Sequence, residues 1–217
     1  MNTLTKLALG LMGRLEPRPV ADASAIALPP PRRSGGMPLM EALQRRQSRR
    51  EFDETPLGEQ MLSDLLWAAA GVNRPDLGGR TAPSAMNSQE VQLFVASRQG
   101  LHRYEPATHA LHLAMASDVR GVTGYQDFVD NAALDLVYVA DHARMKLVPA
   151  AQRDRYAFAA AGAMAQNVYL FCAANDLSTV IRAWFDHPAL SRAMGLEADQ
   201  QLLLCQTVGL AARPAGA

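Results

Sequence analysis

Apolar positions recur along the chain with two different periods. Behind Pro38, which suits a first helical position, Leu39, Ala42 and Leu43 have helical spacing, so ordered structure is expected to begin there. A second helix is expected over about 57–70, with Leu62, Leu65, Leu66 and Ala69 as its apolar stripe and Gly71 as its stop. The period then drops to two. Val91, Leu93 and Val95 alternate, predicting a strand over about 90–97. Residues 101–104 and 110–113 flank Glu105-Pro106-Ala107-Thr108 as a hairpin, and Leu134–Ala140 reads as a further strand. Residues 179–185 and 202–208 complete a set of four or five strands.

From Tyr156 to Asn175 the chain is apolar almost all the way round. Such a helix is deep core, interface or membrane span. Gln166, Asn167 and the flanking Arg153-Asp154-Arg155 count against a span, and many of the apolar residues are only alanine. A central helix is expected, buried on every side and partly by a second subunit. Helices and strands alternate without a strict β-α-β order. The fold expected is therefore α+β: a mixed, mainly antiparallel sheet with helices on both faces.

The N-terminal part differs. Of the 13 prolines, six precede residue 39, so 1–37 is set apart as an arm, extended from about residue 15, ahead of a domain over 38–217. Leu7–Gly13 is at the short limit for a signal peptide and ends on Arg14, so it reads as a short surface helix and a cytoplasmic location is expected. Lys+Arg and Asp+Glu are both 21, and a zero balance argues against a dedicated nucleic-acid binder. The two cysteines, Cys172 and Cys205, lie in apolar runs and suit buried free thiols. His102, His109 and His112 lie in or near the hairpin, where a solvated strand face explains them better than a metal; no metal is expected. Neither a G-x-G-x-x-G run, a Walker loop nor a G-x-S-x-G elbow occurs.

Two stretches carry candidate chemistry. Arg45-Arg46-Gln47-Ser48-Arg49-Arg50-Glu51-Phe52 places four arginines and a hydroxyl at a helix end. That suits a phosphate, or simply cations complementing the helix dipole. Arg80-Thr81-Ala82-Pro83-Ser84-Ala85-Met86-Asn87-Ser88-Gln89 follows a Gly-rich turn and precedes a strand. It offers amides and backbone groups to a heterocycle edge, or is an ordinary connection.

Together, Arg-x-Ser-x-Arg-x-Phe and Pro-Ser-x-x-Asn-x-Gln before a strand resemble the nitroreductase family of flavoproteins. Gln166-Asn167, Ser178-Thr179-Val180-Ile181 and Gln206-Thr207-Val208-Gly209 extend the resemblance over about 38–210. Residues 66–74 and Gly100–Tyr104 look closer to the branch of peptide thiazoline and oxazoline dehydrogenases. The resemblance implies an entwined homodimer with FMN at the interface, NADH or NADPH as donor, and a nitroaromatic, quinone or similar small-molecule acceptor. It places Arg46 and Ser48 at the phosphate and Arg50 toward the N1/O2 edge, and counts Gln47 among the cofactor-binding residues although several relatives carry another basic residue or histidine there. It places Asn87 at the pyrimidine edge, Pro83, Ser84 and Met86 along the ring, and Ile181 to Ala183 on the N5 side. The flavin would carry the chemistry, so no catalytic side chain is expected. The alternatives are a peptide-azoline dehydrogenase, for which no Lys-Tyr pair can be placed, and a flavin-storing protein without turnover. Relatives often close with Val-Gly-Tyr-Pro and a lysine; here Val208-Gly209-Leu210-Ala211-Ala212 is followed by Arg213, the candidate replacement. Residues 121–128, with two glycines and two aromatics, are expected to be a mobile flap that lays Tyr125 or Phe128 over the ring, or a packed turn.

Overall fold

The computed structural model describes residues 2–11, 18–19 and 24–212. Five helices occur among them: α1 (Thr3–Leu11), α2 (Leu39–Arg45), α3 (Glu59–Ala70), α4 (Ala150–Ala174) and α5 (His187–Met194). Seven strands form the main sheet: β1 (Ile26–Ala27), β2 (Val91–Ser97), β3 (Gly100–Glu105), β4 (Ala110–Met115), β5 (Leu134–Asp141), β6 (Leu177–Arg182) and β7 (Gln200–Leu210). Their order is β6-β7-β5-β2-β3-β4-β1, and every neighbouring pair is antiparallel.

Side-chain alternation divides the core into two layers. On β5, Leu134, Leu136, Tyr138 and Ala140 join β2 residues Val91, Leu93 and Val95 beneath α3 and α4. The intervening Val137 and Val139 join Phe94 and Ala96 on the other face, under α5 and the segment around Val119, Val122 and Tyr125. A strand buried on both faces loses the simple apolar–polar alternation, which is why Leu134–Asp141 reads as a nearly continuous apolar run. Helix α3 ends at Gly71 for a local reason. A Cβ there would lie 2.2 Å from the Trp67 ring, so only glycine admits the indole.

Helix α4 is long and apolar enough to cross a membrane by length and composition alone, but it serves as the core helix. Ala157, Ala160, Ala161, Met164, Ala165, Val168, Tyr169 and Cys172 are buried. The expectation of burial on every side is corrected within the single chain, because Ala159, Gly162 and Gln166 form a stripe that faces outward.

The described part of the Pro-rich segment, residues 24–37, is tied to the domain. Pro29 carbonyl accepts from Ser63 Oγ at 2.6 Å, Arg32 binds Asp64 through its backbone N–H and its Nε, each at 2.7 Å, and β1 extends the sheet. Helix α1 docks through Lys6, whose fully buried ammonium lies 2.6 Å from Asp130. Two histidines depart from the solvated strand face expected of them. His102 is buried, with Nε2 2.7 Å from Ser24 carbonyl, and His109 joins Ser63 to Tyr104 at 2.7 and 2.8 Å.

Candidate cofactor site

Helix α2 ends at Arg45, and Arg46 turns into extended backbone (φ −57°, ψ 120°). Arg46 and Arg50 are therefore separated by extended chain, not by one helical turn. The segment runs along the free edge of β6, where Arg49 N–H donates to Thr179 carbonyl at 3.0 Å. It then reaches β7, where Asp53 N–H donates to Leu210 carbonyl at 3.0 Å and Phe52 pairs with Ala211.

The centre of this arrangement is Tyr169 of α4. Its hydroxyl lies 2.9 Å from Ser48 Oγ and accepts from Ile181 N–H at 3.0 Å. The Arg46 guanidinium stands 5.4 Å from the centre of its ring. One buried tyrosine thus fixes residues 46–48, β6 and α4 relative to one another. Gln47, with its amide oxygen turned inward, accepts from Arg49 Nε and Nη2 at 3.0 and 2.9 Å. Arg45 pairs with Glu41 at 2.5 Å, so the surplus positive charge rests on the residues that follow the helix. Gln47, Ser48 and Arg50 are exposed.

The second stretch is a strained loop. Met86, Asn87 and Gln89 hold φ values of 53°, 52° and 50°, in the left-handed region that non-glycine residues rarely adopt. Ser84 Oγ accepts from Gln89 N–H at 2.9 Å, and Gln89 Nε2 donates to Gly78 carbonyl at 2.6 Å and to Asn87 Oδ1 at 3.1 Å. Arg144 Nη1 holds Gln89 carbonyl at 2.9 Å. Pro83, Met86 and Asn87 are exposed, with Met86 at 69%. Strain of this kind is kept where the surroundings over-determine it, commonly at ligand clamps.

The two stretches do not meet within one chain. Loop 81–89 is tied to α4 through Asn167 Nδ2, which donates to Thr81 carbonyl at 3.4 Å, whereas residues 46–48 are tied to it through Tyr169. Two positions on a helix are rotated by about 200°, so Asn167 and Tyr169 serve opposite sides of α4.

Beside the first stretch lies a buried polar cluster. Arg182 Nη2 contacts Asp135 Oδ1 at 2.6 Å and its Nη1 donates to Thr123 carbonyl at 2.6 Å; the two side chains are 4% and 0% exposed. Thr207 Oγ1 donates to the same Asp135 oxygen at 2.5 Å. Burial nevertheless raises the Asp135 carboxyl above the ordinary carboxylate range, against the pull of Arg182 and the Thr207 hydroxyl.

Residues 121–128, expected as a flap or a packed turn, are packed in this structure. Thr123 is held by Arg182, Arg120 binds Asp118 at 2.7 Å and Ala132 carbonyl at 2.7 Å, and Lys6 Nζ donates to Gln126 carbonyl at 3.0 Å. Gly124 lies so near Arg182 that an added Cβ would fall 1.9 Å from Nη1. Tyr125 is 9% exposed and its ring centre is 5.4 Å from that of Trp184; Phe128 is 5.4 Å from Phe52.

Of the expected site residues, Arg46, Gln47, Ser48 and Ile181 come together, with Arg50 at the end of the same segment. Pro83, Ser84, Met86 and Asn87 form the separate loop. Ile181 N–H is already engaged by Tyr169, which leaves exposed Ala183 as the next backbone group along that edge. Arg213 lies outside the described residues. Sequence reasoning missed Tyr169 and Trp184. For Tyr169 the signal was a hydroxyl inside an otherwise apolar helix; Trp184 directly follows Ile181-Arg182-Ala183.

A seven-stranded antiparallel sheet with a central apolar helix, an arginine-rich segment laid along its edge and a strained loop on the helix's other side make up an α+β scaffold. The sequence profile of the nitroreductase family matches residues 43–210, and the chain belongs to that family of oxidoreductases. The nitroreductase-like protein MJ1384 of Methanocaldococcus jannaschii is 30% identical over 160 residues, covering 69% of this chain and 80% of its own. A nitroreductase-like protein of Ralstonia eutropha JMP134, known from its crystal structure, is 50% identical with a TM-score of 0.88, covering 92% of this chain and 96% of its own. Fold alone is shared with the E. coli microcin synthetase McbBCD complex: 17% identity and TM-score 0.67, covering 97% of this chain and 93% of that one.

Proposed function

We propose that the protein is an FMN-dependent oxidoreductase that moves a hydride equivalent from NADH or NADPH to a nitroaromatic, quinone or similar small acceptor. The observation that carries this reading is the pair of half-sites on opposite sides of α4. One is cationic with a hydroxyl; the other is a strained, exposed loop of amides and backbone groups. Two copies of the chain related by a twofold axis could set one copy's residues 46–50 against the other's loop 83–87. The exposed stripe Ala159, Gly162 and Gln166 supports close approach of a second helix.

The residues present fit the cofactor. Arg46 and Ser48, fixed by Tyr169, would hold the phosphate, and the surplus cation charge matches a dianion. Arg50 would place a cation at the N1/O2 edge, favouring negative charge there. Asn87 would hydrogen-bond the pyrimidine edge, Pro83, Ser84 and Met86 would line the ring, and the backbone at Ala183 would face N5. FMN, when bound, supplies the two-electron chemistry through its N5. The protein's work is to position, to tune charge and to exclude water. A cytoplasmic location completes the proposal.

A peptide-azoline dehydrogenase is the second reading, favoured by the near end-to-end fold match to the microcin synthetase complex. The test is spectroscopic. Purified protein should be yellow, release FMN on heating and bleach with NADH or NADPH. Protein that stays colourless after FMN is added overturns the proposal. Bound FMN without NAD(P)H oxidation would favour the storage alternative.

A further inference from the structure

Trp184 is a large indole left 52% exposed, immediately after the edge strand β6. An exposed tryptophan forgoes a substantial burial energy, and here its surroundings are built. Its ring centre is 5.4 Å from that of Tyr125, at an interplanar angle of 56°. Next to it, Phe185 stacks on His187 at 4.1 Å and holds the following turn. Three residues of chain separate Trp184 from Ile181, at most about 10 Å, and Ile181 is tied through Tyr169 to Ser48. The other end of the same surface is fixed independently. Phe128 packs on Phe52 at 5.4 Å, two residues from Arg50, and the Arg182 guanidinium lies 5.9 Å from the Phe128 ring centre. Segment 125–128 therefore bridges residues that flank both strands of the cationic half-site. Lys6 holds it at Gln126 carbonyl, and Arg182 and Arg120 hold the chain on either side of it, at Thr123 and Ala132 carbonyls.

We propose that Trp184, backed by Tyr125, is a specificity-determining wall that stacks a flat aromatic electron acceptor beside the cofactor. The inference rests on the flavin site proposed above and adds to it the residue that selects the acceptor and the way it does so. A fixed indole face gives dispersion and quadrupole contacts to a planar ring and little to a small polar acceptor. Tyr125 behind it is buried in the core, so the wall is already formed in the free protein.

The experiment uses the full chain loaded with FMN. The chain has two tryptophans, so Trp67→Phe leaves Trp184 as the sole indole emitter. Adding FMN to the apoprotein should quench that emission, and menadione should quench the remainder saturably. In steady-state assays Trp184→Ala should raise KM for menadione about 3- to 10-fold, the range of an aromatic pair contact. KM for ferricyanide, which has no ring, should stay within about 2-fold, and Trp184→Phe should recover most of the loss. Melting temperature of Trp184→Ala should match the parent, as befits a half-exposed side chain. FMN bound with an unchanged menadione KM in Trp184→Ala overturns the wall and leaves the flavin site standing. Equal KM losses for menadione and ferricyanide also overturn it. Failure to bind FMN at all overturns both.

Discussion

Replacing Arg182 by methionine keeps most of the side chain's length and removes its charge and all its donors. In the folded chain that guanidinium contacts Asp135 at 2.6 Å, Thr207 Oγ1 at 3.1 Å, Thr123 carbonyl at 2.6 Å and Thr123 Oγ1 at 3.2 Å. Asp135 is fully buried, and its Oδ2 makes no hydrogen bond among the described residues. Arg182→Met leaves a buried carboxylate with one hydroxyl donor on Oδ1, which costs about 3–5 kcal/mol. That is a large share of a total stability of about 5–15 kcal/mol. Arg182→Met/Asp135→Asn removes the stranded charge, and most of the loss should return. The pH dependence has a definite sign. Burial already raises the Asp135 carboxyl, and loss of the cation raises it further. The fold then favours the protonated acid, so the penalty is full above the folded pKa and shrinks as pH falls toward the unfolded value of about 3.9. Urea unfolding of parent, single and double variants, at equal protein concentration and at pH 7 and pH 5, measures this. A cost below about 1 kcal/mol, a double variant no better than the single, or a gap from the parent that does not narrow at pH 5 would refute the reasoning.

Arg46→Ala should weaken FMN binding roughly 10- to 150-fold, the worth of a charge-assisted contact. Arg50→Ala should weaken it less but lower the flavin midpoint potential, by roughly 30 mV for each 1.4 kcal/mol of lost charge stabilisation; titration and potentiometry of both variants read the difference. Sedimentation should give a species of about twice 23.5 kDa, and Gly162→Leu should weaken it without lowering monomer stability, since nothing lies within 4 Å of a Cβ there. Burial lowers the His109 pKa, so the fold favours the neutral ring between Ser63 and Tyr104. Its contribution is whole above about pH 6.5 and lost as pH falls through the folded value; urea midpoints of parent and His109→Gln at pH 7.5 and 5.5 should converge at the lower pH.

The elements with a clean period were legible. α2, α3, the hairpin and strands β2, β5 and β7 lie within a few residues of the ranges that spacing predicts; α3 and β2, β5 and β7 bury a face or a continuous run, whereas α2 buries only Ala42 and leaves Leu39 and Leu43 exposed. Strand β6 ends at Arg182, short of residue 185, since Asp186 caps α5 through Ala189 N–H and the chain must turn before it. Helix α5 carries only Ala189 and Leu190 as fully buried residues, too few to give a periodic signal. The tethering of the arm was also illegible. Pro29, Arg32 and Lys6 act through long-range contacts that leave no local pattern. At the candidate site, residue types were readable from the motifs, whereas the arrangement was not. Nothing in the spacing of residues 46–50 and 83–87 says that one chain holds them on different sides of the same helix.

That separation explains the composition of α4. In the proposed reading the helix carries one half-site on each side with a sheet beneath it, and its remaining arc faces outward. Tyr169 must reach Ser48 and Ile181 while Asn167 reaches Thr81, so the two polar groups that matter are placed two residues apart amid apolar neighbours. The outward arc includes Ala159 and Gly162, small residues beside exposed Tyr156, Phe158 and Gln166, and at Gly162 the single chain leaves ample room for a side chain. Small residues with no intrachain reason to be small are the mark of a close approach from outside. The same helix that would complete the site by pairing with its copy is thus the one that orients both halves. On the proposed reading, dimerisation and cofactor binding would be two uses of one set of helix positions.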